Sequence, residues 1–161
     1  MNRLYTTLTI IVLILFSVFS LQIFIITGES MAPTYEHDQY VLVERVSKHF
    51  GMLTRGEVIV FTNPHDREHI TMKRVIGLPN ETVHIFDTKV VIVQNDGSEE
   101  EFGSGTVIGV GTGSGNGSRF EIVLGAEDYF VLGDNRGKST DSRDWGAVQL
   151  SDVIGKPIFS F

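Results

Sequence analysis

Cysteine is absent from the chain, which excludes disulfides, thiol catalysis and cysteine-ligated zinc. The absence leaves the compartment open, because 161 residues suffice for a core that needs no covalent staples. Positive charge is in short supply: 13 Lys and Arg stand against 20 Asp and Glu, a formal charge of −7 at pH 7. A nucleic-acid partner held through its phosphates is therefore not expected. Between Leu4 and Gly28 charge of either sign is missing altogether.

That uncharged run reads as a membrane span, which makes the lipid bilayer an expected partner. Its segment LTIIVLILFSVFSLQIFII would form a helix of about 30 Å, the thickness of bilayer hydrocarbon. A cleaved leader would have a shorter apolar stretch and a small-x-small site behind it, and ITGESM supplies none. The expectation is a membrane anchor over residues 1–28, its transmembrane helix at about 6–26, followed by a separate domain over 29–161. Arg3 and the amino terminus precede the span, while Glu29, Glu36 and Asp38 follow it. This bias places the amino terminus inside and the remainder outside.

Helical periodicity is missing from the remainder. Short runs rich in Val, Ile, Phe and Tyr follow one another instead: QYVLVERV, EVIVF, HITMKRVIGL, TVHIF, KVVIVQ, RFEIVL and YFVLGD. They predict a mainly β domain, an antiparallel sandwich or partly open barrel, not a βαβ array. Residues 95–125 are glycine-rich, with GSGTVIGVGTGSGNGS at the centre. No strand leads into that run and no helix opens from it, so a dinucleotide fingerprint is not supported and a flexible hairpin or linker is expected.

Two motifs lack the context their chemistry needs. Gly137, Lys138 and Ser139 resemble the end of a phosphate loop, but Leu132 occupies the place of its first glycine, and Asp134, Asp141 and Asp144 would repel an anion. No nucleotide is expected, and Lys138 reads as a solvated turn residue. HDREH, His65 to His69, matches a zinc motif that requires both histidines on one helical face, yet Pro64 precedes it and strand-like runs flank it. A charged hairpin loop is the better reading, with no metal or other cofactor. His37, His49 and His84 stand singly and read as surface or packing residues.

Ser30, in TGESMAPT, lies just beyond the apolar run between Gly28 and Pro33, where a turn could present its hydroxyl. A serine needs a base to become a nucleophile, and no His and Asp stand at a diagnostic spacing. Lys73 lies mid-strand among Ile70, Met72, Val75 and Ile76. Burial would lower its pKa towards that of a general base; a lysine snorkelling from a strand edge is the other reading, and both stay open at this point.

TGESMAPT, RGEVIVFTNP, KRVIGLP and GDNRGKSTDSR occur in the order found in the bacterial type I signal peptidases, and nearly the whole chain resembles that family. The resemblance implies a β-rich serine endopeptidase domain of signal-peptidase type. It would stand on the extracytoplasmic side of a bacterial plasma membrane and cut signal peptides from secretory precursors after small-x-small sites. It implies Ser30 as nucleophile and Lys73 as general base, with Ser139 orienting the lysine amine. Asp134 would pair with Arg74 and Asp141 with Arg143 to brace the loop. Phe24, Ile26, Met31 and Met72 would line the pockets for the small substrate residues at −1 and −3.

The oxyanion would be held by the N–H of Ser30. Many members add a hydroxyl two residues earlier, where this chain has Gly28, so the second donor would be a backbone N–H there or a water. Asn80 stands where glycine is common, a change that a positive-φ turn accepts. Two rivals remain at this stage. A tethered β-domain that only binds exported proteins would make Ser30 and Lys73 dispensable. A self-cleaving serine–lysine regulator would carry a basic DNA-binding segment, and none is present.

Overall fold

The computed structural model describes residues 3, 5–10, 20–50, 53–86, 89–102 and 120–161. The run QYVLVERV forms β2 (Tyr40–Glu44) and EVIVF forms β3 (Val58–Thr62). The next four runs form β4 (Ile70–Gly77), β5 (Thr82–Ile85), β6 (Val90–Val93) and β8 (Phe120–Val123), and YFVLGD forms β9 (Asp128–Leu132). Among the described residues there are four further strands: β1 (Leu21–Ile25), β7 (Glu99–Phe102), β10 (Val148–Gln149) and β11 (Val153–Ser160). Two short helices lie among these strands, α1 at Ser47–Phe50 and α2 at Ser142–Trp145.

Among the described residues all strand pairings are antiparallel and form two sheets. One runs β1-β2-β11-β3-β4-β9-β10 and the other β7-β6-β5-β8. Successive side chains on a strand point to opposite faces, so β4 and β9 feed two cores at once. Val75, Tyr129 and Val131 pack with Ile59, Phe61 and Val153 on one side. Ile76, Phe130 and Leu132 pack on the other against Val83, Ile85 and Ile92 of the second sheet. β4 is thereby fixed at Val75 and Ile76, just beyond Lys73 on the same strand.

The apolar amino-terminal run does not follow the expected boundary. Arg3, residues 5–10 and Ser20 are helical, and among the described residues no helix is long and apolar enough to cross a membrane. Residues 11–19 lie outside those described. Leu21–Ile25, expected inside the transmembrane helix, is instead a strand paired with Tyr40–Glu44. The physical reason is β2: its open edge satisfies the backbone of an Ile- and Phe-rich segment that suits a sheet as well as a helix. In the glycine-rich segment, Glu99–Phe102 and Phe120–Val123 are strands, while residues 103–119 are outside the described set. Asn80 adopts φ 66, as its turn requires.

Candidate active site

The β1–β2 hairpin does not turn at once. Ile26 N–H donates to the Gln39 carbonyl and Asp38 N–H to the Ile26 carbonyl, closing the base of an excursion that carries Ser30. Ser30 thus stands on a loop held at both ends by one hairpin. Lys73 reaches it from β4, and its Nζ lies 2.6 Å from Ser30 Oγ. The lysine is 3% exposed. Burial lowers its pKa from 10.5 to about 8, against the opposing pull of Asp141 and Asp134. A base near neutrality and a hydroxyl within hydrogen-bond reach is the arrangement that activates a serine.

The segment 133–143 clamps the nucleophile loop from the other side. Asn135 N–H donates to the Ser30 carbonyl at 3.0 Å. Asp134 accepts from Arg74 Nε at 2.7 Å and Nη2 at 2.5 Å, and also from the Thr34 hydroxyl at 2.5 Å, so one carboxylate joins the nucleophile loop to β4. Burial opposes that charge, but Arg74 and Thr34 outweigh it and hold the carboxyl below its ordinary pKa. Asp141 is fully buried and accepts from Arg143 Nε at 2.7 Å, Arg143 Nη2 at 2.9 Å and Gly133 N–H at 2.9 Å. It also caps α2, with Asp144 closing a reciprocal capping box. Both expected carboxylate–guanidinium pairs are present in the structure.

Gly133 is needed for close approach. A Cβ at that position would stand 2.1 Å from Ser139 Oγ and 2.6 Å from the Ser30 carbonyl oxygen. Ser139 Oγ fills that space, buried and without a hydrogen-bond partner. The expected bond from Ser139 to Lys73 is therefore not formed in this structure; the lysine amine is turned to Ser30 instead. Gly28 departs from expectation too. It adopts φ +97, and its N–H donates to His37 Nδ1 at 2.9 Å, so it is not a free oxyanion donor. The Ser30 N–H has no partner among the described residues.

A cleft of about 430 Å³ opens over Ser30 and Lys73. Phe24, Ile26, Met31 and Met72 all line it, together with Val41 and Val60. β1 is the outer strand of its sheet, and β9 pairs with β4 only from Arg74 onward, so Ile70–Lys73 has one open edge. Both open edges border the cleft.

Lys138 is a solvated turn residue, as read from the sequence, and it also lines the cleft and pairs with Glu29 at 2.5 Å. Sequence reasoning missed this pair, the Asn135 contact and the role of His37. Each joins residues that have no common motif, and a single His gave no signal. His65–His69 forms the β3–β4 loop, where the Asn63 side chain accepts from the His65 and Asp66 N–H groups. Among the described residues no acidic or histidine cluster could hold a metal ion.

Known proteins with similar sequences carry a consistent description. A signal peptidase I of Leptolyngbya laminosa is 35% identical over 144 residues, covering 84% of this chain and 66% of that protein. Signal peptidase I U of Bacillus subtilis is 34% identical over 145 residues, covering 82% and 71%. A solved signal peptidase I from Enterococcus faecalis, 28% identical, covers 66% of this chain and 97% of the other with a TM-score of 0.47. The family described as signal peptidase, peptidase S26, matches residues 1–161, and the chain belongs to it.

Proposed function

We propose that the protein is a membrane-bound serine endopeptidase that removes signal peptides from secretory precursors. The 2.6 Å contact between Ser30 Oγ and the buried Lys73 amine carries the reading. Neutral Lys73 takes the hydroxyl proton as Ser30 Oγ attacks the scissile carbonyl carbon. The tetrahedral oxyanion is met by the Ser30 N–H. The amine of the mature chain leaves with the proton held by Lys73. Water, deprotonated by the same lysine, then hydrolyses the ester, releasing the signal peptide as a carboxylate and restoring Ser30.

The open edges of β1 and of Ile70–Lys73 offer main-chain donors and acceptors to an extended peptide laid between them. Side chains of such a strand alternate, so the residues at −1 and −3 face the same wall. Phe24, Ile26, Met31 and Met72 fill that wall and leave room for small groups. Ser139 Oγ, unpartnered in the resting state, is free to accept from the Lys73 ammonium once proton transfer turns it from Ser30.

An apolar face supports the bilayer as partner. Register places Ile23, Leu42 and Phe159 in one row across β1, β2 and β11. Ile25 faces Tyr40, whose ring stacks on Phe161 at 5.7 Å. Ile23, Ile25, Phe159 and Phe161 are more than half exposed, an apolar surface of the kind that binds membrane or protein. The catalytic domain would stand outside a bacterial plasma membrane, tethered by the apolar amino-terminal run. The test uses detergent-solubilised protein and precursors that vary at −1 and −3. Cleavage with Ala at both positions is expected, and none with Lys or Phe at −1. Efficient cutting after Lys or Phe would contradict the pocket assignment.

A further inference from the structure

Four ionisable side chains line the cleft among the described residues: His69, Lys73, Glu29 and Lys138. Lys73 is buried against Ser30, and His69 is held by Asp66 at 2.6 Å. The other two face outward. Glu29 directly precedes the nucleophile, and Lys138 is the last residue of the short 3₁₀ turn of the opposite loop. Lys138 Nζ donates to Glu29 Oε2 at 2.5 Å, with the two side chains 66% and 59% exposed. The bond to Lys138 lowers the pKa of Glu29, and the carboxylate raises that of Lys138, so both stay charged.

An exposed pair of this kind adds little to folding. The nucleophile loop is in any case already tied down by Asn135 and Asp134. Its consequence is electrostatic and local. The part of a peptide upstream of the scissile bond is the part that the apolar, strand-lined wall accommodates. With the upstream part on that wall, the part beyond the bond would pass over the loops on either side of Ser30, where the pair stands.

We propose that the Glu29–Lys138 pair keeps the site indifferent to the charge of the first substrate residues beyond the scissile bond. This rests on the peptidase reading above. Two opposite charges in contact present little net field to a side chain several ångströms away, so the intact pair accepts either sign. Removing one partner exposes the other, which then attracts one sign and repels the opposite one.

The test uses peptides identical up to the scissile bond and carrying Lys, Gln or Glu at the second position after it. Wild type is compared with Lys138→Met, Glu29→Gln and the exchange Glu29→Lys with Lys138→Glu. The quantity read is kcat/KM for the Lys peptide divided by that for the Glu peptide. It is expected near unity for wild type, about threefold to tenfold higher for Lys138→Met and lower by a similar factor for Glu29→Gln. The exchange should bring it back towards unity, and raising salt to about 0.5 M should shrink both shifts. Wild-type cutting of the Gln peptide tests the peptidase reading separately. With that peptide cut, a ratio unchanged in every variant, or shifted the same way by both single substitutions, overturns the proposal. So does charge dependence confined to positions upstream of the bond. No cutting of any peptide by wild type overturns both readings.

Discussion

Lys73 meets two opposing demands, and pH separates them. As a base it acts when neutral, so the acylation rate should rise with pH through about 8 and level off above it. As a buried cation it is a burden. Its folded-state pKa lies below the unfolded value of 10.5, so the unfolded chain binds the proton more tightly. Stability should therefore increase as pH rises from about 8 to 10.5, and the penalty is full below that window. Lys73→Met should lose activity while raising stability by roughly 3 kcal/mol at pH 7, read from thermal unfolding; a lower Tm would contradict the buried-cation account. Ser139→Ala removes no hydrogen bond from the resting structure. It should lower kcat by about tenfold without changing stability, whereas unchanged kcat would remove Ser139 from the mechanism. Ser30 and Lys73 could be singled out because each lies in a motif that resembles the signal peptidases; a turn serine and a mid-strand lysine alone left other readings open. Glu29, Lys138 and Asn135 could not be, since contacts between residues about a hundred positions apart leave no local signature.

Elements show the same division. Runs of β-branched residues bounded by turns announced seven of the strands, because pleated, half-buried backbone favours those side chains. β1 was hidden by its own hydrophobicity, being continuous with a run long enough to span a membrane. β11 was hidden for the opposite reason: Gly155 and Pro157 interrupt its pattern. The register shifts between Pro157 and Phe159, and a Cβ on Gly155 would lie 1.9 Å from the Glu44 carbonyl oxygen. Tertiary packing demands those residues there. At the 133–143 loop the stable unit is the buried Asp141–Arg143 pair, 0% and 4% exposed. Asp141→Ala leaves the guanidinium buried without its partner, and a loss of about 3–5 kcal/mol is expected in denaturant unfolding. A loss below about 1 kcal/mol would show that the loop stands without the pair.

For the molecule as a whole, the sheet that carries the cleft also carries the apolar face of Ile23, Ile25, Phe159 and Phe161. A protein working on emerging precursors at a bilayer would expose residues 29–161 to the outside. In spheroplasts, externally added protease should digest this domain; protection alongside a digested external control would contradict the topology. Everything proposed turns on one pair of atoms, Ser30 Oγ and Lys73 Nζ. The direct measurement is precursor cleavage by purified wild type, Ser30→Ala and Lys73→Ala, each shown to be folded. Loss of several orders of magnitude in both variants is predicted, because members of a catalytic unit fail together. Near-wild-type cleavage by either folded variant would contradict the account.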